Sequence, residues 1–273
     1  MSRHGPAAAD QRSEFERRLE EVSFLAGSTC RVRLLSVLAR RGRLTRDELR
    51  DVADASRTTV QRNLDALEER GWIASSAREY RATPCGALVV EELCGLLETV
   101  GVAVQLQTGL QWLPRGALDF DLRHLADARV TVATASDPYA PVNRYAQTLE
   151  AATRFRGVVS SVGFDALRTV DGTADRDWTV VLDADALETL QTTAAYAAAF
   201  ASSVQAESVD LYVYGGGVPF SLGLVDGRVE IGVEDDEGMP RALIETESER
   251  VREWAAETVA DYRQQAERYD PAG

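Results

Sequence analysis

The sequence predicts an α+β chain in which a helical segment with one β-hairpin precedes an α/β domain. Three observations support this prediction. Residues 13–70 carry apolar residues at helical spacing, residues 72–83 read as two short strands, and residues 113–273 mix alternating strands with helices. The chain has 273 residues, 45% of them hydrophobic, so two domains with sizeable cores are expected.

Four helices are expected before the hairpin. Their predicted ranges are 13–25, about 29–41, 46–51 and 57–70. Thr45 with Glu48 three residues later predicts a capping box for the third helix, and Ser56 predicts an N-cap for the fourth. Gly42 suits the left-handed position that ends the second helix.

The fourth helix has a divided face. Val60, Leu64 and Leu67 recur at i, i+4 and i+7 and are expected to pack inward. The hairpin follows, with Arg78 and Arg81 expected near its tip, and a new helix starts after it. Helix, helix, short helix, helix, hairpin, helix is the order of a winged helix-turn-helix.

The segments that carry this order are 44–51, 56–64, 67–73 and 80–86, and they resemble archaeal winged helix-turn-helix regulators. The resemblance implies binding of double-stranded DNA, usually as a homodimer, with residues 56–63 as recognition segment and 78–81 as wing. The predicted DNA-binding residues are Ser56, Arg57, Thr58, Thr59, Gln61, Arg62, Asn63, Arg78 and Arg81. Arginine matches guanine and glutamine matches adenine in the major groove, whereas hydroxyls near a helix N-terminus suit phosphates. A winged helix that binds a protein partner instead is the alternative.

The charge distribution favours DNA. All 30 basic residues are arginine, and the net charge is −14. Residues 101–273 hold 14 arginines against 28 acidic residues, whereas residues 11–81 hold 15 arginines against 12. Positive charge therefore gathers where DNA contact is predicted. An acidic chain without lysine is typical of halophilic archaea, although a GC-rich genome also favours arginine codons.

Residues 86–112 form one long apolar helix or two joined ones. Seven apolar residues recur there at near-heptad spacing: Leu88, Val89, Leu93, Leu96, Leu97, Val100 and Val104. The helix either packs within its own chain or pairs with its twin in a dimer, which a near-palindromic operator favours. We therefore divide the chain into a DNA-binding domain (11–85), a linker or dimerisation helix (86–112) and a regulatory domain (113–273).

The regulatory domain is expected to alternate strands and helices. Predicted strands cover 129–135, 157–159, 178–182, 209–214, 221–225, 228–233 and 241–245, and predicted helices cover 142–155, 184–190, 193–205 and 248–269. Asp226-Gly227 predicts a primed hairpin turn, and Ser248 is expected to cap the last helix. Segments 137–141, 155–158, 212–214, 219–224 and 251–255 resemble the C-terminal domain of methanogenesis-regulatory-protein type. That resemblance implies a sensor or regulatory role and names no ligand.

A ligand pocket is expected at the carboxyl ends of the strands, with Tyr139, Arg144, Arg156 and Tyr214 as tentative ligand-binding residues. Arg144 and Arg156 would hold an anionic effector, or else serve as surface or salt-bridge residues. His124 is the only histidine outside the N-terminal tail and no G-x-S-x-G motif accompanies it, so no enzyme is predicted.

No cofactor or metal is predicted either. Two acidic groups suit a solvated surface better than a cation site: Asp183 with Asp185, and residues 235–237. The glycine run at 215–217 lacks the spacing of a phosphate-binding loop. Three isolated cysteines, no long apolar run and no apolar leader segment predict a cytoplasmic chain that does not enter membranes.

Overall fold

The computed structural model describes residues 6–161, 176–204 and 209–271. Compact packing divides the chain into two units, Met1–Leu97 and Glu98–Gly273. The architecture is α+β, with a winged helix-turn-helix in the first unit and an α/β domain in the second.

The first unit contains helices α1 to α4, strands β1 to β3 and the part of helix α5 up to Leu97. Their bounds are α1 Pro6–Ala26, α2 Thr29–Arg41, β1 Leu44–Thr45, α3 Arg46–Ala53, α4 Arg57–Glu69, β2 Ile73–Ser76, β3 Glu79–Ala82 and α5 Pro84–Gln105. The strands form an antiparallel sheet in the order β1-β3-β2. The hairpin was predicted, but β1 was not, because two residues carry no alternation to detect.

Leucines from three helices fill the core of this unit. Leu34 and Leu35 of α2, Leu49 of α3, and Leu64 and Leu67 of α4 are all fully buried. The predicted capping box is present, since Thr45 Oγ1 accepts from the Glu48 backbone while the Glu48 carboxylate accepts from the Thr45 backbone.

The second unit is built on one eight-stranded sheet. Its elements are α6 Gln107–Leu110, a 3-10 helix Leu122–Leu125, β4 Arg129–Val132, α7 Ala140–Ala151, β5 Arg154–Val159, β6 Asp177–Asp183, α8 Ala184–Thr192, α9 Ala194–Val204, β7 Val209–Tyr214, β8 Ser221–Val225, β9 Arg228–Glu234, β10 Pro240–Thr246, α10 Glu249–Gln265 and β11 Glu267–Arg268. The strand order is β11-β7-β6-β5-β8-β9-β10-β4. Strands β5, β6 and β7 are parallel, and the other pairs are antiparallel.

Helices cover both faces of this sheet. Helix α10 packs on one face with Val251, Ala255 and Val259, whereas α7, α8 and α9 pack on the other. Alternation within β5 divides the core accordingly: Val158 belongs to the α10 side, and Phe155 to the opposite side.

Two predictions for this unit were wrong in detail. The helix expected to run to Phe155 ends at Ala151, because Phe155 pairs in parallel with Trp178 inside the sheet. Ser248 precedes α10 but its side chain makes no capping hydrogen bond. The predicted end of another helix, Gln205, lies outside the described residues.

Within the described residues, no single helix combines the length and hydropathy needed to cross a bilayer. The bent pair Arg12–Ala26 and Thr29–Arg41, at 88° to each other, meets that requirement by length and composition alone.

Candidate nucleic-acid interface and ligand cavity

The N-terminal end of α4 is fixed by its cap and its buried face. Ser56 Oγ accepts a hydrogen bond from the Thr59 backbone N–H at 3.2 Å, and Val60 and Leu64 are fully buried. Because inward residues recur every three to four positions, Arg57, Thr58 and Arg62 are left exposed on the outer side. Three of the predicted recognition residues therefore reach solvent together.

Other predicted recognition residues are already engaged. Asn63 is only 6% exposed, and its side-chain amide donates to the Thr59 carbonyl at 2.8 Å, so it faces the core rather than an outside partner. The prediction that Asn63 contacts DNA is therefore corrected. Gln61 Nε2 donates to Asp65 Oδ1 at 2.5 Å, and the hydroxyls of Ser56 and Thr59 bond each other at 2.9 Å.

The wing places Arg78 at its tip, as predicted, but not Arg81. Arg78 is exposed in the turn between β2 and β3, next to Ala77 with its positive φ of 62°. Arg81 lies within β3, opposite Ala74, and not at the tip. Its neighbour Tyr80 points into the core, so Arg81 points outward and is exposed.

Four exposed arginines of this surface have no ion-pair partner in the part of the chain that the structure describes: Arg57, Arg62, Arg78 and Arg81. Two other arginines of the first unit, Arg50 and Arg70, are paired. Arg50 lies within 3.4 Å of both Asp47 and Asp51, and Arg70 lies 3.0 Å from Glu21. The four guanidinium groups are therefore available to an anion, and we call them the arginine set.

A further arginine next to this set escaped the sequence prediction. Arg31 of α2 lies over the Phe24 ring at 4.0 Å, and Arg70 lies over the same ring at 3.4 Å. Burial lowers the pKa of the Arg31 guanidinium, and the positive charges of Arg70 and Arg62 lower it further. Like charges gathered around one helix raise the local positive potential.

The structure does not bring the four predicted ligand residues together. Tyr139 lines a cavity in the second unit, but Arg144, Arg156 and Tyr214 do not. Arg144 is engaged with Glu245 through two hydrogen bonds of 2.9 and 2.7 Å, and Arg156 lies 3.8 Å from Asp177 in an exposed pair. Tyr214 packs edge-on against Tyr262, with ring centroids 5.0 Å apart.

The cavity lies on the sheet face that α7, α8 and α9 cover, and its volume is about 700 Å³. Its walls are mostly apolar and aromatic, and they include Tyr145, Leu149, Phe155, Trp178, Leu182 and Phe200. Protein interiors leave few voids larger than a water molecule, and ligand pockets have volumes of this order. The cavity therefore has the size and character of a small-molecule site.

One acidic residue in the cavity wall escaped the sequence prediction. Glu230 of β9 is 1% exposed, and its carboxylate forms no ion pair among the described residues, since the nearby arginines pair with Glu245. Burial raises the pKa of Glu230 to about 7, and the neighbouring Glu245 adds to the rise. The sequence did contain a signal for its position. Val229, Ile231 and Val233 alternate along β9, and this pattern places Glu230 on the sheet face opposite to theirs.

The acidic groups that the sequence singled out serve local structure. Asp183 accepts from the backbone of Asp185 at 2.9 Å and of Val218 at 2.7 Å, and Asp235 accepts from the backbone of Met239 at 2.9 Å. Across the described ranges, no group of three or more His, Cys, Asp or Glu side chains comes together as metal ligands do.

The fold and the arginine-bearing helix define a regulator of winged-helix type. Two family models match the chain: the HVO_A0261 N-terminal domain over residues 19–105, and the middle domain of methanogenesis regulatory protein FilR1 over residues 138–265. Residues 19–105 and 138–265 are therefore similar to these two domain types, and both resemblances predicted from the sequence are confirmed. No curated protein matches it significantly.

Solved structures give distant likenesses. TrmBL2, an archaeal chromatin protein with a novel mode of DNA binding, is 16% identical over 89% of this chain and 94% of its own, with a TM-score of 0.40. Nuc, a phospholipase D family member from Salmonella typhimurium, is 19% identical over 52% of this chain and 98% of its own, with a TM-score of 0.39. The putative transcriptional regulator RHA06195 from Rhodococcus is 16% identical over 87% of this chain and 97% of its own, with a TM-score of 0.25. At these TM-scores none of the three bears on function.

Proposed function

We propose that this protein is a sequence-specific, dimeric regulator of transcription that binds double-stranded DNA and responds to a small molecule. The observation that carries the proposal is the arginine set, which lies exposed and unpaired on α4 and the wing. In a chain of net charge −14, arginines without acidic partners at one winged helix favour a nucleic-acid surface over a solvated one.

The proposed contacts concentrate at the N-terminal end of α4. Arg57 and Arg62 read base edges in the major groove, where a guanidinium pairs with guanine in two hydrogen bonds. Asp65 and Glu69 lie farther along the helix beside Arg62, and these carboxylates would repel phosphates. The helix therefore enters the groove by its first two turns, while Arg78 and Arg81 of the wing hold the flanking backbone.

The proposed dimer uses helix α5. Five apolar side chains on this helix are about half exposed or more: Leu88, Leu96, Leu97, Val100 and Val104. Leu97, Val100 and Val104 follow the i, i+3, i+7 spacing by which two helices pack along a common seam. A second copy of the chain is the occupant we assign to this face, because one copy supplies one reading helix and a palindromic site needs two.

A selection experiment tests the DNA assignment. Random duplexes are selected by the wild-type protein, by Arg62→Ala and by Arg50→Ala, whose guanidinium is held by Asp47 and Asp51. We expect wild type and Arg50→Ala to enrich the same motif and Arg62→Ala to lose preference at one base position. Failure of wild type to enrich any motif would contradict the proposal and favour a protein-binding winged helix.

A further inference from the structure

The effector cavity has a polar feature that restricts its ligand. Across three strands, Gly157, Gly223 and Glu230 occupy one row, each directly opposite the next. A Cβ atom on either glycine would come within 3.0 Å of the Phe155 ring. The ring can pack directly on the backbone of both strands because neither residue has a side chain. On this side, the residue directly opposite Glu230 is a glycine and offers it no polar side chain.

The other side of Glu230 offers no counter-ion of its own. Glu245 lies directly opposite on β10, and it takes both nearby arginines: Arg144 in two hydrogen bonds and Arg228 at 3.6 Å. Tyr145 of α7 also lines the cavity, and burial raises the pKa of its phenol well above the usual range. Glu230 thus faces a second carboxylate, two engaged arginines and a neutral phenol.

A buried carboxylate in this position is costly unless it takes up a proton or meets a positive group. Thr148 Oγ1 lies 3.0 Å from the Arg144 carbonyl, and its hydrogen bond to Glu230 lowers the pKa of that carboxyl without supplying a positive charge. A ligand with a cationic hydrogen-bond donor and an apolar body would donate to the Glu230 carboxylate and pack against the apolar walls of the cavity.

The charge of the cavity excludes the anionic effector expected from the sequence. Glu234 also lines the cavity, and burial raises the pKa of its carboxyl despite a hydrogen bond from Ser161. Since Arg144 and Arg156 lie outside the lining, no free cation among the lining residues would meet an anion.

We propose that this cavity binds an apolar small molecule carrying one basic nitrogen, whose ammonium group donates to the carboxylate of Glu230. The identification of this amine as the effector rests on the proposed function, whereas its binding to the cavity does not.

Binding is measured by calorimetry on the full chain with three probes of one skeleton: 2-(1-naphthyl)ethylamine, the corresponding alcohol and the corresponding carboxylate. We expect the amine to bind roughly 10- to 100-fold more tightly than the other two, as a charge-assisted hydrogen bond provides. Glu230→Gln should abolish this preference while the alcohol still binds. The control Glu257→Gln, at an exposed position on α10, should keep it.

Four outcomes would each overturn the proposal. They are equal binding of the three probes, tighter binding of the carboxylate, no binding of the amine, and an amine preference that survives in Glu230→Gln. Binding of a DNA duplex by the same preparations, without probe, is recorded in parallel. Because the two measurements use different partners, loss of amine binding with DNA binding intact refutes the ligand assignment alone.

Discussion

Glu230 and Glu245 lie directly opposite each other on β9 and β10, yet only Glu245 is paired with arginine. Both side chains are almost fully buried, at 1% and 4% exposure. Among the described residues, the sheet therefore holds one carboxylate neutralised by arginine beside one that forms no ion pair. This asymmetry gives two stability predictions, one for each residue.

Removal of the Glu230 charge should change how stability depends on pH. The pKa of Glu230 is about 7 in the folded protein, against an ordinary value of 4.5, so the folded state holds a proton that the unfolded chain releases between these values. Wild-type stability therefore falls as pH rises from about 4.5 to 7, by roughly 3 kcal/mol at most. The free energy of unfolding of Glu230→Gln should exceed that of wild type by a margin that grows across this window and then levels off.

Urea unfolding at several pH values and constant ionic strength measures this margin, with Glu257→Gln as control. A margin that is constant with pH would show that Glu230 is ionised at ordinary pH and has a partner.

Loss of Arg144 should destabilise the second unit. Its guanidinium holds the buried Glu245 carboxylate, and Arg228 at 3.6 Å is a poorer substitute. We expect Arg144→Ala to lower the free energy of unfolding by roughly 2–4 kcal/mol. Arg156→Ala breaks an exposed pair and should cost under about 1 kcal/mol. Equal losses in the two variants, measured by urea unfolding, would contradict this view of Arg144.

The two helix starts at Thr45 and Ser248 should respond differently to alanine. Thr45 Oγ1 caps α3, whereas the side chain of Ser248 makes no capping bond on α10. Thr45→Ala should therefore lower stability by about 1 kcal/mol, and Ser248→Ala should have little effect. Thermal unfolding of both variants provides the comparison, and a larger loss for Ser248→Ala would show the assignment of caps to be wrong.

A charge in the exposed apolar face of α5 should separate the proposed dimer. Val100 is 49% exposed, and Val100→Glu places a carboxylate in the seam. We expect the sedimentation coefficient to shift from that of a dimer to that of a monomer at the same concentration. Glu91→Arg changes charge on the opposite side of the same helix, about two and a half turns away, and should leave the dimer intact. A wild-type protein that sediments as a monomer would refute the dimer.

Local sequence signals predicted the first unit well because its elements are short helices with their own caps. Thr45 with Glu48, and Ser56 before α4, specify helix starts without reference to distant residues. The inward position of Asn63 was missed because a polar residue on a recognition helix is ordinarily expected to be exposed. Its amide instead donates to a backbone carbonyl one turn earlier, that of Thr59.

The second unit was predicted less completely because its sheet depends on distant pairing. Phe155 follows a helix closely and was assigned to it, but the parallel register with Trp178 draws it into β5. Glu230 alternates with apolar neighbours and would face water on a one-sided sheet. Here helices cover both faces, which no local pattern reveals.

The central claim is that α4 reads base sequence, and DNA binding across a salt series tests it most directly. Wild type and Arg62→Ala are titrated against a duplex from upstream of the protein's own gene and against a scrambled duplex. We expect selective binding by wild type with a shallow salt slope, because few phosphates are contacted by so acidic a chain, and a loss of roughly 1–3 kcal/mol in Arg62→Ala. Equal binding of both duplexes at every salt concentration, or an unchanged affinity in Arg62→Ala, would contradict the claim.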